Sequence, residues 1–369
     1  MPPPDKKRNA GRLNVAGASE SIVAETAARI FADLADPQTV NRAKDEGWKT
    51  PLWRAIEDAG LALAWVPDDL GGSGASIEDG FAVLGAVGRC ALSVPLAETL
   101  LAGWLLSRAG LSSPAGAMTV APARPNDHVA LGANCTLSGR ASGVPFASSA
   151  AHIAVLAESG KGFAVALAAT KDCRVTSGRS VAGDASDVVI FDNVKPLHTA
   201  PAPAGFDRDM LMLMGSAVRA VQTAGALEAI LAMSVAYANE RVAFERPIGK
   251  FQAVQQNLAR LAGEAAAALA VSGSAADTMA RADVVDDTVF LEAASAKIRC
   301  AEAAQEGSAI AHQVFGAIGF TKEHVLHRFT LRMLGWRDDF GNESYWAAEL
   351  GRRIATRGAD EFWPLVASR

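Results

Sequence analysis

The 369-residue chain carries 35 basic and 40 acidic side chains, a net charge of −5, with half of its residues hydrophobic and a fifth charged. That composition belongs to a globular protein with a large core and room for two or three domains. It excludes a dedicated nucleic-acid binder, which would show a basic stripe, and no run of about 18 apolar residues suggests a membrane span.

The opening "MPPPDKKRNAGRLNV" is basic but lacks the apolar stretch of a secretory signal, so residues 1–19 read as a disordered tail. Over 20–111 the pattern is helical. In "PLWRAIEDAGLALAWV" the residues Leu52, Ile56, Ala59 and Leu63 fall on one stripe. "PDDLGGSGASIEDG" then breaks the chain, with Ser76 as a helix N-cap. No lysine follows its glycines and no strand precedes them, so this is a turn and not a phosphate loop. Over 112–202 Val, Ala, Ser, Thr and Gly dominate, and period-two segments such as "HIAVLAE", "GFAVALA" and "DVVIFDNV" predict short strands in a small antiparallel sheet or barrel. Helices return over 203–369. "SAVRAVQTAGALEAILAMSVAYANE" is apolar on most sides and predicts a helix buried in a bundle. Val254, Leu258, Leu261, Ala265 and Ala268 form one further stripe, Leu291, Ala294, Ile298 and Ala301 another, and a last helix is predicted after Gly341. The fold class is α+β: helices, a central β module, then a four-helix bundle. Cys90, Cys135, Cys173 and Cys300 show neither disulfide nor zinc spacing, which fits a reducing cytoplasm, and no metal site is expected.

One segment does not read as a plain helix connection. "RVAFERPIGKFQAVQ", from Arg241 to Gln255, packs two arginines, a phenylalanine, a proline and a glycine into ten residues between alanine-rich helices. "YANERVAFERPIGKFQAVQ" resembles the "Y-x-x-x-R-x-x-F-G-x-P-I-x-x-F-Q" segment of the acyl-CoA dehydrogenase family. "HQVFGAIGFTKEHVLHR" is similar to that family's "Q-x-x-G-G-x-G-[FY]-x-x-E" segment, "LWRAIEDAGLALAWVPDDLGGSG" to its N-terminal helices and turn, and "LSGRASGVPFASSAAHIAVLA" to its β-domain stretch. The resemblance runs from about Glu20 to Ala367.

In that family the two bundle segments hold the pyrophosphate and adenosine end of FAD for the flavin of a neighbouring subunit. The resemblance therefore implies FAD as cofactor and a CoA thioester as substrate. It assigns flavin contacts to Arg241, Phe244, Gln252, Gln313, Gly316 and Gly319, with Pro247 fixing the entry of the chain. The chemistry suits those roles: Arg241 offers a planar fork to phosphate oxygens, and Gly316 and Gly319 let backbone N–H groups approach an anion. By itself Arg241 reads as a solvated helix-end cation, and Gly316 as a helix C-cap. Glu245 stands where the family has glycine.

Two parts of the family's site are missing. The "T-E-P-x-x-G-S-D" loop that faces the isoalloxazine ring has no counterpart in "AMTVAPARPNDHVALG", and Val144, Pro145 and Phe146 replace its Trp-Ile-Thr. The carboxylate that removes the α-proton of the thioester falls in many members on the position of Phe340, followed here by Gly341 and Asn342, and in others on that of Gly215. Asp338, Asp339 and Glu343 are near neighbours in sequence, with Asp338 and Glu343 as the candidates, and all three also read as the acidic start of a helix. This loss beside a kept neighbour-facing half resembles one chain of the α2β2 enzymes of bacterial steroid and bile-acid side-chain breakdown, in which unlike subunits share a flavin site. The implied partners are a second such subunit, or a further copy in a dimer of dimers, and an electron-transfer flavoprotein. A self-sufficient homotetramer with an unusual base and a flavin-free structural subunit are the alternatives.

Overall fold

The computed structural model describes residues 21–160 and 162–367, so the tail expected over 1–19 lies outside the described residues. Five helices come first: α1 (Ile22–Leu34), α2 (Pro37–Arg42), α3 (Lys49–Asp58), α4 (Ile77–Arg89) and α5 (Leu96–Arg108). Ser76 caps α4 through its hydroxyl, which accepts from the Asp79 N–H at 3.0 Å. The stripe read along α3 is cut short. Leu52 and Ile56 are buried, but Gly60 takes a left-handed conformation (φ 69°) and the helix ends at Asp58. Ala59 is exposed, and Leu61 and Ala62 turn inward in place of Leu63.

The central strands are β1 (Met118–Ala121), β2 (His128–Leu131), β3 (Leu137–Pro145), β4 (His152–Ser159), β5 (Gly162–Ala169), β6 (Arg174–Thr176), β7 (Ser186–Val194) and β8 (His198–Pro201). They hydrogen-bond in the order β6-β7-β3-β2-β4-β5-β8, with β1 on β4. The sheet is mixed, not purely antiparallel. β1 runs parallel to β4 in the register Met118↔His152 to Ala121↔Val155, and β2 meets the same edge of β4 further on, at Ala130↔Glu158. The chain re-enters beside the start of β1, where the Ala151 N–H donates to Ala117 O at 3.1 Å, so β4 sets off in the same direction. Both faces of β4 are covered: Ile153, Val155 and Ala157 point into a small core enclosed by the strands, while Ala154 and Leu156 join the main helical core. Burial on both faces explains the near-continuous apolar run of "HIAVLAE".

The C-terminal part is a bundle of long helices, α6 (Arg208–Glu240), α7 (Gln252–Arg281) and α8 (Asp287–Phe315), closed by α9 (Leu326–Trp336) and α10 (Glu343–Arg357). A two-residue ladder, β9 (Val242–Ala243) with β10 (Arg246–Pro247), separates α6 from α7, and the short α11 (Phe362–Ala367) ends the described chain. Among the described residues α6 alone is long and apolar enough to cross a membrane by length and composition. It instead runs through the core: Met210 to Ala220 are buried on every side, with Arg219 among them.

Candidate functional site

The end of α6 builds the segment from Arg241 onward. The Arg241 N–H caps the helix on Tyr237 O at 2.8 Å, and its carbonyl accepts from the Ile248 N–H at 2.8 Å. Pairing of β9 with β10 leaves Phe244 and Glu245 as a two-residue turn, with φ of 50° and 64°. Positive φ at both positions is the twist a tight hairpin needs. Glycine meets that demand without cost, whereas a glutamate there is strained by about 1–2 kcal/mol. Phe244 at the tip is 90% exposed. Arg246 does not pair with Glu245; its guanidinium lies 4.2 Å over the Phe251 ring, which also meets Phe244 edge-on at 6.2 Å. Arg241 and Gln252 are exposed, and no side-chain partner engages the Arg241 guanidinium among the described residues.

The second segment closes on the first through aromatic packing. Phe315 at the end of α8 stacks on Tyr237 at 4.5 Å, and the Tyr237 hydroxyl donates to Phe315 O at 3.5 Å. Gln313 is exposed in the last turn of α8. Gly316 has φ 64° and ψ −145°, a conformation open essentially to glycine, and its N–H is used up on His312 O as a helix cap. Gly319 is buried, and a Cβ there would meet that of Phe315 at 2.9 Å. These two glycines therefore shape the turn; the polar group left facing outward is the Gln313 amide.

The C-termini of α6 and α8 converge here with negative ends, which disfavours an anion. The opposing positive contribution comes from Arg241, Arg246, Lys250 and the start of the 30-residue α7. Phe251 gives α7 no side-chain cap, so the Gln252 and Ala253 N–H groups have no hydrogen-bond partner among the described residues. Uncapped N–H groups at a helix start beside three cations suit a diphosphate.

The two positions at which the family carries its base lie against each other. A Cβ on Gly215 would sit 2.2 Å from the Phe340 ring, so the ring occupies the space over the glycine and is itself fully buried. Phe340 is pinned on all sides: its N–H donates to Ala123 O at 2.9 Å, and its carbonyl accepts from Ser216 Oγ and Trp346 Nε1, each at 3.0 Å. Behind the ring lies a buried ionic cluster that joins α5, α6, α8 and the turn after α9. Arg219 donates to Glu98 through Nη2 at 2.5 Å, to Asp339 through Nε at 3.0 Å and to Gln222 through Nη1 at 2.6 Å. Lys297 donates to Trp336 O at 2.6 Å and Asp339 O at 2.8 Å. Burial pushes the Glu98 carboxyl up against the pull of Arg219. The cavity left between Phe146, Arg219, Arg332 and Asp339 measures about 30 Å³, the space of one water and not of an acyl chain.

Neither candidate carboxylate faces this place. Asp338 is exposed, and its carbonyl accepts from Arg124. Glu343 opens α10, where Asn342 caps the helix from 2.9 Å, and it joins Glu264, Glu302 and Glu306 around a surface hollow. Burial raises its carboxyl, but the hydrogen bond from Arg337 outweighs this and holds it below the usual range. Sequence reasoning named Asp339 as a neighbour of the base position but missed Glu98, Arg219 and Lys297. The available signal was a lone charge inside each apolar helix, Glu98 in "VPLAETLLAGWLL", Arg219 in "LMLMGSAVRAVQT" and Lys297 in "EAASAKIRCAEAA".

Burial lowers the Lys297 amine to about 7 from its ordinary 10.5. A neutral amine has two N–H donors, matching its two carbonyl partners. Between these two values the unfolded chain holds a proton that the folded chain lacks, so stability rises with pH. Denaturation between pH 7 and 8.5 is expected to show a Lys297-dependent gain of at most about 1.4 kcal/mol per pH unit, absent in Lys297→Met. The half-buried thiols of Cys90 and Cys173, raised to about 11, and the buried thiol of Cys300, raised to about 12, act in the opposite sense near the top of that window, but equally in both proteins, so the difference between them reads Lys297. Equal slopes in the two proteins would show that Lys297 is charged in the fold.

Helices, a mixed sheet and a helical bundle, in that order, are the acyl-CoA dehydrogenase fold. In sequence, too, the chain is similar to members of the acyl-CoA dehydrogenase family. The family pattern described as "Acyl-CoA dehydrogenase, C-terminal domain" matches residues 204–354. Two Mycobacterium tuberculosis proteins are similar over most of their length: acyl-CoA dehydrogenase IpdE2, 28% identical over 345 residues (93% of this chain, 96% of the relative), and acyl-CoA dehydrogenase FadE27, 28% identical over 332 residues (82% and 88%). Among solved structures, the ChsE4-ChsE5 complex from Mycobacterium tuberculosis aligns with TM-score 0.78 at 25% identity, covering 90% of this chain and 96% of that one. A Tcur3481-Tcur3483 steroid ACAD variant aligns with TM-score 0.79 at 25% identity, covering 90% and 97%.

Proposed function

We propose that this chain is one subunit of a heteromeric FAD-dependent acyl-CoA dehydrogenase, to which it contributes Arg241, Phe244, Gln252 and Gln313 at the pyrophosphate and adenosine end of a flavin seated mainly on its partner. The observation that carries this reading is the buried Phe340 ring packed on Gly215 with an ionic cluster behind it: the two positions at which the family carries its base hold a buried ring and a glycine, and neither holds a carboxylate. The residues at the α6–α7 corner fit FAD, with a free guanidinium for phosphate, uncapped N–H groups at the start of α7 and an exposed aromatic ring at the hairpin tip. When bound, FAD supplies the hydride acceptor for α,β-dehydrogenation of a CoA thioester. This chain's part is to bind and orient the cofactor; the α-proton is taken by a carboxylate of the partner.

Two relatives in complex form, ChsE4-ChsE5 and Tcur3481-Tcur3483, support a partner subunit, and the second suggests a steroid-derived acyl group. The outer side of α7 exposes Ala259, Gly263, Ala266, Ala270 and Gly273 in a four-three-four-three stripe, which lets a second bundle approach closely. An electron-transfer flavoprotein as acceptor belongs to the same proposal, as does a cytoplasmic setting in keeping with four free cysteines.

Expression with and without the partner tests the reading. The chain alone is expected to be colourless, and the co-expressed complex yellow and active on an acyl-CoA. One FAD per chain and turnover by this chain alone would overturn it. Within the complex, Asp338→Asn and Glu343→Gln are expected to change turnover by no more than a few fold. A loss of roughly a thousandfold, about 4 kcal/mol of barrier, would make that residue the base.

A further inference from the structure

A cleft of about 500 Å³ opens where three parts of the fold meet: the turn between α2 and α3, the loop between β6 and β7, and α9. Two arginines of α9, one turn apart, line it. Arg332 is fully engaged, with Nε and Nη2 on Asp184 at 2.7 and 2.9 Å and Nη1 on Ala91 O at 2.7 Å. Arg328 has no salt bridge or side-chain hydrogen bond among the described residues, and its Nε is sealed from water with no partner at all. Burial and the neighbouring Arg332 lower its pKa to about 10, against the weaker pull of Asp184 and Glu46.

The carboxylates that line the cleft are already committed. Asp184 accepts from Arg332 and Ser93. Asp187 accepts from the Ser148 and Gly178 N–H groups at 2.7 and 3.0 Å, Asp45 from the Gly47 N–H at 2.9 Å, and Glu46 holds Lys49 at 2.7 Å. A half-buried guanidinium whose neighbouring carboxylates, Asp184 and Glu46, are bonded to other cations is destabilising unless a ligand supplies a further anion. Lys44 and the hydroxyls of Ser148 and Ser177 also line the cleft, and Trp48 and Phe146 supply aromatic wall. The volume lies in the range of small-ligand sites.

We propose that this cleft binds a phosphate-bearing ligand of mononucleotide size, its phosphate on the Arg328 guanidinium and its ring against Trp48 and Phe146. The site is separate from the Arg241 corner and does not depend on the proposed subunit role. The same chemistry is presented by a free mononucleotide and by the nucleotide end of CoA or FAD.

The test is titration of the assembled full chain with AMP, inorganic phosphate, CoA and FAD as separate probes, followed by tryptophan fluorescence and thermal unfolding. AMP is expected to bind, and Arg328→Met to weaken it by about tenfold or more, the loss of one charge-assisted contact. Without ligand, Arg328→Met is expected to melt no lower than the wild type, because it removes an uncompensated charge. Arg328-dependent binding of AMP with phosphate alone favours a free nucleotide, of CoA the thioester's own nucleotide, and of FAD the cofactor; each supports the site. No Arg328-dependent binding of any probe at millimolar concentration, or a lower melting temperature in Arg328→Met, overturns it.

Discussion

Arg219→Ala is expected to cost about 3–5 kcal/mol of folding stability, because removing one partner of a buried ion pair leaves the others charged and unpaired. Arg219 is 3% exposed and Glu98 1%, and Arg219 joins Glu98 and Asp339 to each other. The loss is expected in urea or thermal unfolding of the isolated chain, since no part of the cluster needs a cofactor. Arg219→Met combined with Glu98→Leu is expected to recover part of it. That pair removes both desolvated charges together, and Asp339 keeps Arg124 at 3.8 Å. A cost below about 1 kcal/mol for the alanine variant would mean that water reaches the cluster, and with it that the space behind Phe340 is not closed.

The second large effect is expected at the opposite end of α6. In the assembled complex, Arg241→Ala is expected to weaken FAD binding by about ten- to a hundredfold, the loss of a charge-assisted contact of roughly 1.5–3 kcal/mol. The unfolding of the isolated chain is expected to stay unchanged, since the side chain is exposed and unpartnered among the described residues. Flavin retention by dialysis or fluorescence reads the effect, which is expected to shrink as salt screens the exposed charge. Undiminished flavin content in Arg241→Ala would leave the chain as a structural subunit that only covers the partner's flavin.

The sequence by itself determined the elements and the polar corner. A period of 3.6 over 30 residues fixes the inward face of α7, and alternation in "DVVIFDNV" fixes β7, because both patterns are written in residues a few positions apart. The segment around Arg241 was legible as a short run of unusual composition, and the one around Gln313 through its resemblance to the acyl-CoA dehydrogenase family. Even there, the hairpin's positive φ at Phe244 and Glu245 and the use of the Gly316 N–H as a cap had to be seen in the fold. Only the tertiary structure decided the parallel pairing of β1 with β4, since a strand's alternation says which face is buried and not which neighbour it joins. It also decided that Phe340 covers Gly215, two positions 125 residues apart in "LMLMGSAV" and "RDDFGNES". Glu98, Arg219, Lys297 and Asp339 could each be noticed as a charge where the local pattern demanded an apolar side chain. That they meet in one buried cluster behind the Phe340 ring depends on helices packed together across most of the chain, a contact no local pattern encodes.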